Sequence, residues 1–419
     1  MTSVAGPDFE DSLTKTVTVN RKYSFELRFH ASVLHMRGDK LTPQPFTSTE
    51  NDVLIFNGEI FDGLNVAPDE NDGQKLFDLL LSEGPSNFFA AIRRVEGPYA
   101  FVYYQASTER LWFGRDPLGR RSLVMHLPTV TSSSFYLSSN GLGAKHALSD
   151  WTDVACDALH CFHLRDLRGR SSVIDGRRGL SSYPRYPKSM GLSQDILIYP
   201  FDPLNKSIPA AHQLARMDPN TGLPVPSAEL QVTAQGLAKE LEIAIRKRVL
   251  TIPLFPAPPH ARVAVLFSGG IDCTTMALLI DKVLPPGEAI DLINVEFENP
   301  RKLWAVEQNN AKQKGTSAAA NISSDAMSVD GHESVSQLLK SQTPDDSDPA
   351  KYEVPDRLTG RASFEELRRL RPQRRWIFVE ANVPYDEMLR ERQTVIDLMR
   401  PNQTVMDLVR SPKGLCIMR

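Results

Sequence analysis

The sequence predicts two folds in series: an α+β half built on a mostly antiparallel sheet, then an α/β half built on parallel strands. Three observations predict it. Within residues 1–200, short β-like runs separated by turn residues surround two helical patterns. Residues 201–226 then hold five prolines and little periodicity, the mark of a linker. Through 227–419, strand-like and helix-like segments alternate, as in a parallel sheet with helices on both faces.

Taken in order, "YSFELRF", "ASVLHM" and "DVLIF" are read as strands within 23–60. The patterns "GQKLFDLLLS" and "SNFFAAIRRV" are read as helices, and "YAFVYYQ", "RLWFGR", "RSLVMH", "SFYLSS" and "ALHCFHLRDL" as further strands. The stretch 227–250 carries Leu230, Leu237, Leu241, Ile245 and Val249 three, four or seven apart, behind Ser227 as N-cap: a helix. Strand 263–267, helix 273–282 and strand 291–297 follow. Residues 305–351 carry no Phe, Trp or Tyr, are rich in Ser, Ala, Asp, Gln and Lys, and read as a disordered insertion. A helix at 363–370 opens on Ser363 with Glu366 three later, a capping-box spacing. Strand 376–380 and helix 385–398 end the visible pattern, so only three strands are expected and the second sheet is incomplete.

The bulk numbers exclude several classes. A net charge of −3 over 419 residues argues against a broad nucleic-acid footprint. No apolar run is long enough to span a membrane, and the first residues lack the pattern of a signal peptide. Cysteines stand at 156, 161, 273 and 416, with no Cys-x-x-Cys pair, so a disulfide framework or zinc site is not expected and a cytoplasmic location fits best. His160 and His163 straddle a strand and show no ligand spacing.

The stretch "VAVLFSGGIDCTT" (263–275) runs from an apolar strand, expected to be buried on both faces, through Ser268-Gly269-Gly270 into a helix start at Asp272. Glycines let the chain turn with N–H groups facing outward, and the helix adds its positive end, which together suit a phosphate. Asp272 would repel a bare phosphate; Mg²⁺ bridging carboxylate and phosphate oxygens reverses that. The alternative is a tight strand-to-helix turn whose Asp only favours the helix start. The Gly-Lys-Ser/Thr of a Walker A loop is absent.

"FSGGIDCTT" resembles the Ser-Gly-Gly-x-Asp signature of the PP-loop ATP pyrophosphatases, with Cys273 where that family has Ser or Thr. In the first half, taken singly, Asn57-Gly58 signals a hairpin turn, Asp72-Gly73 a turn, and Arg115-Asp116 a surface ion pair. Taken in order, "LHMRG", "NGEIF", "ENDGQKLF" and "GPYAFVYYQ…LWFGRDPLGRRSL" resemble the class II glutamine amidotransferases, which have an N-terminal-nucleophile sandwich fold. Such a domain followed by a PP-loop domain is similar to asparagine synthetase. "VPDRLTGRASFEEL", "WIFVEANV" and the long insertion look closer to one subgroup, the asparagine synthetase domain-containing proteins.

The resemblance implies ATP-dependent amidation of aspartate, with glutamine as nitrogen donor and Mg²⁺ beside ATP. Asn57 and the Gly58 N–H would form the oxyanion hole. Arg37 would bind the glutamine α-carboxylate, Asp72 its α-amine, and the "GRDPLG" turn would be structural. Ser268, Gly269, Gly270 and Asp272 would contact pyrophosphate and Mg²⁺, with Leu266 and Val295 at strand ends seating the adenine nucleoside. Glutamine, aspartate and ATP are then the partners, without nucleic acid or membrane; a homodimer is one assembly the family allows. That family hydrolyses glutamine with a cysteine exposed as residue one. Here residue 2 is Thr and no cysteine precedes Cys156, so this chain is not expected to hydrolyse glutamine. A second glycine-rich loop expected near the C-terminus is also missing, so both ends read as truncated. The competing expectation is a non-catalytic interaction protein that keeps the fold.

Overall fold

A computed structural model describes residues 8–129, 134–141, 151–167, 179–190, 196–210, 213, 215–252, 261–298 and 349–399. Among the described residues the chain forms two compact units: residues 8–262 with Leu279–Pro285 and 393–399, and Val263–Leu278 with Pro286–Arg392. The expected insertion lies outside the described residues except for its last three positions, which belong to a short 3₁₀ turn, Pro349–Tyr352.

The first unit opens with a hairpin that the sequence reading missed. Strands β1 (Phe9–Val19) and β2 (Tyr23–Val33) pair antiparallel over their full length. Asn20 and Arg21 both have φ near +50°, at 52° and 53°, the mirror-image turn that matches strand twist. The runs "YSFELRF" and "ASVLHM" thus share one strand, β2, rather than forming two.

Strands β3 (Phe46–Thr47), β4 (Val53–Gly58), β5 (Tyr99–Gln105) and β6 (Arg110–Arg115) follow, then β7 (Val124–His126), β8 (Tyr136–Ser138) and β9 (Thr152–Asp153). Strands β10 (Ala158–His163), β11 (Leu180–Tyr186) and β12 (Leu197–Ile198) complete the main sheet, whose order is β12-β11-β10-β6-β5-β4-β3. All its pairs are antiparallel except β11 with β12. Helices α1 (Asp72–Glu83) and α2 (Phe88–Arg94) cover one face through Leu76, Phe77, Leu80, Phe88 and Ile92. The other face packs on the β1–β2 hairpin through Val19 and Phe29, and on the β8-β7-β9 sheet.

Strand β5 explains why the central strands read as unbroken apolar runs. Tyr99, Phe101 and Tyr103 point to the helical layer, while Ala100, Val102 and Tyr104 point to the hairpin side. Alternation survives, but both faces are dry. The result is an α+β unit whose main sheet is covered by helices on one face and by two smaller sheets on the other.

Strands β13 (Arg216–Met217) and β14 (Pro224–Val225) form an exposed two-residue ladder inside the proline-rich stretch. Helix α3 (Ala228–Val249) starts where expected, with Ser227 Oγ accepting from Leu230 N–H at 3.1 Å. Of its predicted apolar stripe only Ile245 and Val249 are buried; Leu230, Leu237 and Leu241 are exposed. The periodicity therefore marks the helix correctly but not what it packs on.

The second unit holds a parallel three-stranded sheet, β15 (Val263–Leu266), β16 (Ala289–Phe297) and β17 (Arg375–Val383), in that order. Helix α4 (Ile271–Val283) follows β15, α5 (Pro355–Leu370) precedes β17, and α6 (Tyr385–Met399) follows it. Two expectations are corrected. As the edge strand, β15 alternates buried and exposed residues instead of being buried on both faces. Helix α5 begins eight residues before Ser363, at Pro355, because Pro is well placed in a first helical turn. Ser363 lies inside the helix and caps nothing.

Candidate functional site

In the first unit, three segments converge. Arg37 follows β2; Asn57 and Gly58 end β4; Asp72 begins α1. Asn71 joins two of them. Its side chain accepts from Gln74 N–H at 3.0 Å as the α1 N-cap, and its amide lies 3.4 Å from the Arg37 carbonyl. Asp72 accepts from Ile60 N–H at 2.8 Å and from Gly73 N–H at 3.0 Å, tying the helix start to the end of β4. The isolated readings of Asp72-Gly73 and Asn57-Gly58 as turns are thereby corrected. The first pair opens a helix; the second lies within the β4–β5 ladder.

Arg37 and Asp72 are both 4% exposed. Arg37 Nη1 is buried and meets no acceptor among the described residues. Burial raises the Asp72 carboxyl above its ordinary range, against the Ile60 N–H bond and the Arg37 charge. Glu59 is also raised by burial, offset mainly by Arg121, whose Nη2 lies 3.4 Å away. A buried guanidinium with an unmet donor stands among two carboxyls that burial makes reluctant to ionise. An incoming zwitterion answers both: its carboxylate meets Arg37, and its ammonium favours the ionised carboxylates. Glu59 and Arg121 were missed in the sequence; the acid directly after Asn57-Gly58 was the signal available.

Gly58 fits only as glycine, since a Cβ there would lie 2.3 Å from the Pro98 carbonyl oxygen. In the register with β5, Asn57 pairs with Ala100, and Glu59 N–H bonds Pro98 O. Gly58 falls between these bonded pairs, so its N–H turns away from β5. It meets no protein acceptor among the described residues. Asn57 is exposed beside it.

The "GRDPLG" turn holds this strand end. Asp116 is 0% exposed and accepts from the N–H groups of Tyr99, Leu118 and Arg120 at 3.2, 3.1 and 2.9 Å, and from Arg120 Nε at 2.9 Å. Arg115 instead donates to the carbonyls of Arg121, Gly119 and Val154. The expected Arg115–Asp116 surface pair is therefore corrected to a buried turn. On the far side, Arg248 of α3 lies over the Phe61 ring at 4.4 Å, and Lys247 pairs with Asp62. A cavity of about 340 Å³ opens beside them. Cys161 is buried in the sheet, where its thiol is pushed up to about 12, so it is no substitute nucleophile.

In the second unit, the loop 268–270 leaves the carboxyl end of β15 and enters α4. None of the N–H groups from Ser268 to Asp272 meets a protein acceptor among the described residues. Gly269 has φ of 81°, and a Cβ there would lie 2.4 Å from the Thr359 carbonyl oxygen. Asp272 is exposed in the first helical turn. Leu266 is 57% exposed at the strand end, whereas Val295 is 4% exposed and its side chain offers no surface to a nucleoside. The described residues contain no cluster of three or more metal-ligating side chains.

Residues 31–141 match the family described as a glutamine amidotransferase domain, a range that contains Arg37, Asn57, Gly58 and Asp72. The chain is 34% identical to asparagine synthetase domain-containing protein 1 of Bos taurus, over 93% of this chain and 65% of that protein. It is 33% identical to the Homo sapiens protein of that name, over 93% and 64%. The chain fits the asparagine synthetase family. It spans less than two thirds of the length of these relatives. The family extends to asparagine synthetase domain-containing protein YML096W of Saccharomyces cerevisiae, 27% identical over 90% of this chain and 55% of that one. Among solved structures, a glutamine phosphoribosylpyrophosphate amidotransferase from B. subtilis covers 69% of this chain and 60% of its own, at 13% identity and a TM-score of 0.29. No helix among the described residues is long and apolar enough to cross a membrane.

Proposed function

We propose that the first unit binds glutamine and the second binds ATP with Mg²⁺, and that together they serve the ATP-dependent amidation of aspartate. One observation carries the glutamine half: buried Arg37, with an unmet donor, beside Asp72 and Glu59. Arg37 takes the α-carboxylate, and Asp72 with Glu59 takes the α-ammonium. The free Gly58 N–H and the Asn57 amide then face the side-chain carbonyl, where negative charge grows during attack.

The residues of the second loop fit a nucleotide. Its N–H groups without acceptors suit phosphate oxygens, and Asp272 would hold Mg²⁺ jointly with them. When bound, Mg²⁺ would neutralise phosphate charge as pyrophosphate leaves. With its side chain turned inward, Val295 would contribute only main chain to a nucleoside.

A second reading is favoured by Cys161, whose buried thiol is pushed up to about 12 and so offers no nucleophile. In it the unit binds glutamine without hydrolysing it. Calorimetry with glutamine, alongside incubation with amide-¹⁵N glutamine, aspartate, ATP and Mg²⁺, separates the two. Labelled asparagine and AMP support the enzyme; tight glutamine binding without either supports the non-catalytic form. Absence of glutamine binding defeats both.

A further inference from the structure

Two consecutive glycines make the peptide between Gly269 and Gly270 easy to turn over, because neither residue has a Cβ to oppose it. The two orientations have opposite chemistry. In a trans peptide the C=O and N–H point in opposite directions. One orientation offers the Gly270 N–H to an anion above the helix start; the other offers the Gly269 carbonyl, which repels it. A loop that grips phosphate must therefore be held in the first.

Helix α5 provides the shorter of two holds on the Gly269 carbonyl; Thr274 Oγ1 donates to it at 3.5 Å from within α4. Ser363 Oγ donates to the Gly269 carbonyl at 2.8 Å, across a separation of 94 residues. A serine inside a helix ordinarily bonds its own chain one turn back, as Thr359 does here to the Pro355 carbonyl at 2.9 Å. Ser363 makes the outward bond instead. The end of the strand two residues earlier is fixed independently, for Asn294 Nδ2 donates to the Phe267 carbonyl at 2.8 Å. Asn294 is 1% exposed, and its Oδ1 meets no partner among the described residues. The loop backbone is thus anchored from both sides, while the N–H groups from Ser268 to Asp272 stay without protein acceptors.

We infer that Ser363 is a positioning residue: it holds the Gly269 carbonyl on α5 and so turns the Gly270 N–H toward a phosphate oxygen. This rests on the nucleotide reading of the loop and names a residue that reading does not include. The test uses the full chain, with inorganic pyrophosphate and Mg²⁺ as the calorimetric probe. Ser363→Ala should weaken pyrophosphate binding about fivefold, the worth of one net hydrogen bond. Ser363→Thr, which keeps the hydroxyl, should restore it. Glutamine affinity, read at the other unit, should not change in either variant.

If Ser363→Ala binds pyrophosphate as tightly as the unsubstituted chain while Asp272→Ala binds it less tightly, the inference falls and the nucleotide reading stands. If Ser363→Thr binds as poorly as Ser363→Ala, the hydroxyl is not the acting group and the inference also falls. If the unsubstituted chain takes up no pyrophosphate, the nucleotide reading fails and the inference with it.

Discussion

Replacing Arg37 by Ala removes the buried guanidinium whose Nη1 meets no acceptor among the described residues. Glutamine affinity should fall at least about tenfold, the lower end for a hydrogen bond to a charged group. Arg37→Lys should recover only part of it, because a point charge lacks the two-pronged donor geometry. Calorimetry across the three proteins checks this; unchanged affinity in Arg37→Ala would leave the glutamine site without its anchor. Glu59 gives a pH signature. Its carboxyl is raised in the folded chain from an ordinary value of 4.5, first by burial. The group therefore favours the folded state below that ordinary value, and the benefit is lost as pH rises through the folded value. Glu59→Gln should accordingly raise the melting temperature at neutral pH and change little near about pH 4. A variant that instead melts lower at neutral pH would show that the Arg121 pair outweighs burial. Arg37, Asp72, Asn57 and Gly58 were legible in the sequence only as a set in a fixed order. Singly, each pair looked like a turn or a surface contact, since nothing local reveals that a charge will be buried.

At the scale of single elements, the turn after β6 carries the largest expected loss. Asp116 satisfies four donors from a position with no exposure. Asp116→Ala should cost about 3 kcal/mol by leaving main-chain donors unmet, and should also weaken glutamine binding through Tyr99, the cross-strand neighbour of Gly58. Denaturant titration and calorimetry on one preparation test both; a stable variant with normal affinity would make the turn incidental. Helix α3 shows where periodicity stops being informative. Its spacing located a real helix, yet most of the stripe is exposed and only Ile245 and Val249 are buried. Helix α5 shows the converse. Ser363 with Glu366 matched a capping pattern, but Pro355 sets the start, and the serine hydroxyl went to Gly269.

Over the whole molecule, each unit has its own core. Phe101, Trp112 and Phe113 lie in the first, and Val265, Ile290 and Leu367 in the second. Separate cores predict two calorimetric transitions, with glutamine raising one and Mg²⁺–ATP the other. A single transition raised by both ligands would mean that the units unfold as one. The likeness of the chain to the asparagine synthetase family was legible because two sets of motifs occur in one order, which no single motif establishes. The first hairpin went unread although β1 alternates polar and apolar residues, itself a strand pattern; only its Asn20-Arg21 turn, without Gly or Pro, hid the pairing.

By itself the sequence determined the class of each half, most of its strands and helices, and the glycine turn at 268–270. These follow from short-range sterics and periodicity, which act within a few residues. Only the tertiary structure decided that Asp116 is buried, that Arg37 keeps an unmet donor beside Asp72 and Glu59, and that Ser363 reaches Gly269. Those outcomes depend on segments tens of residues apart meeting in a space where water is excluded, and desolvation has no signature until that space exists.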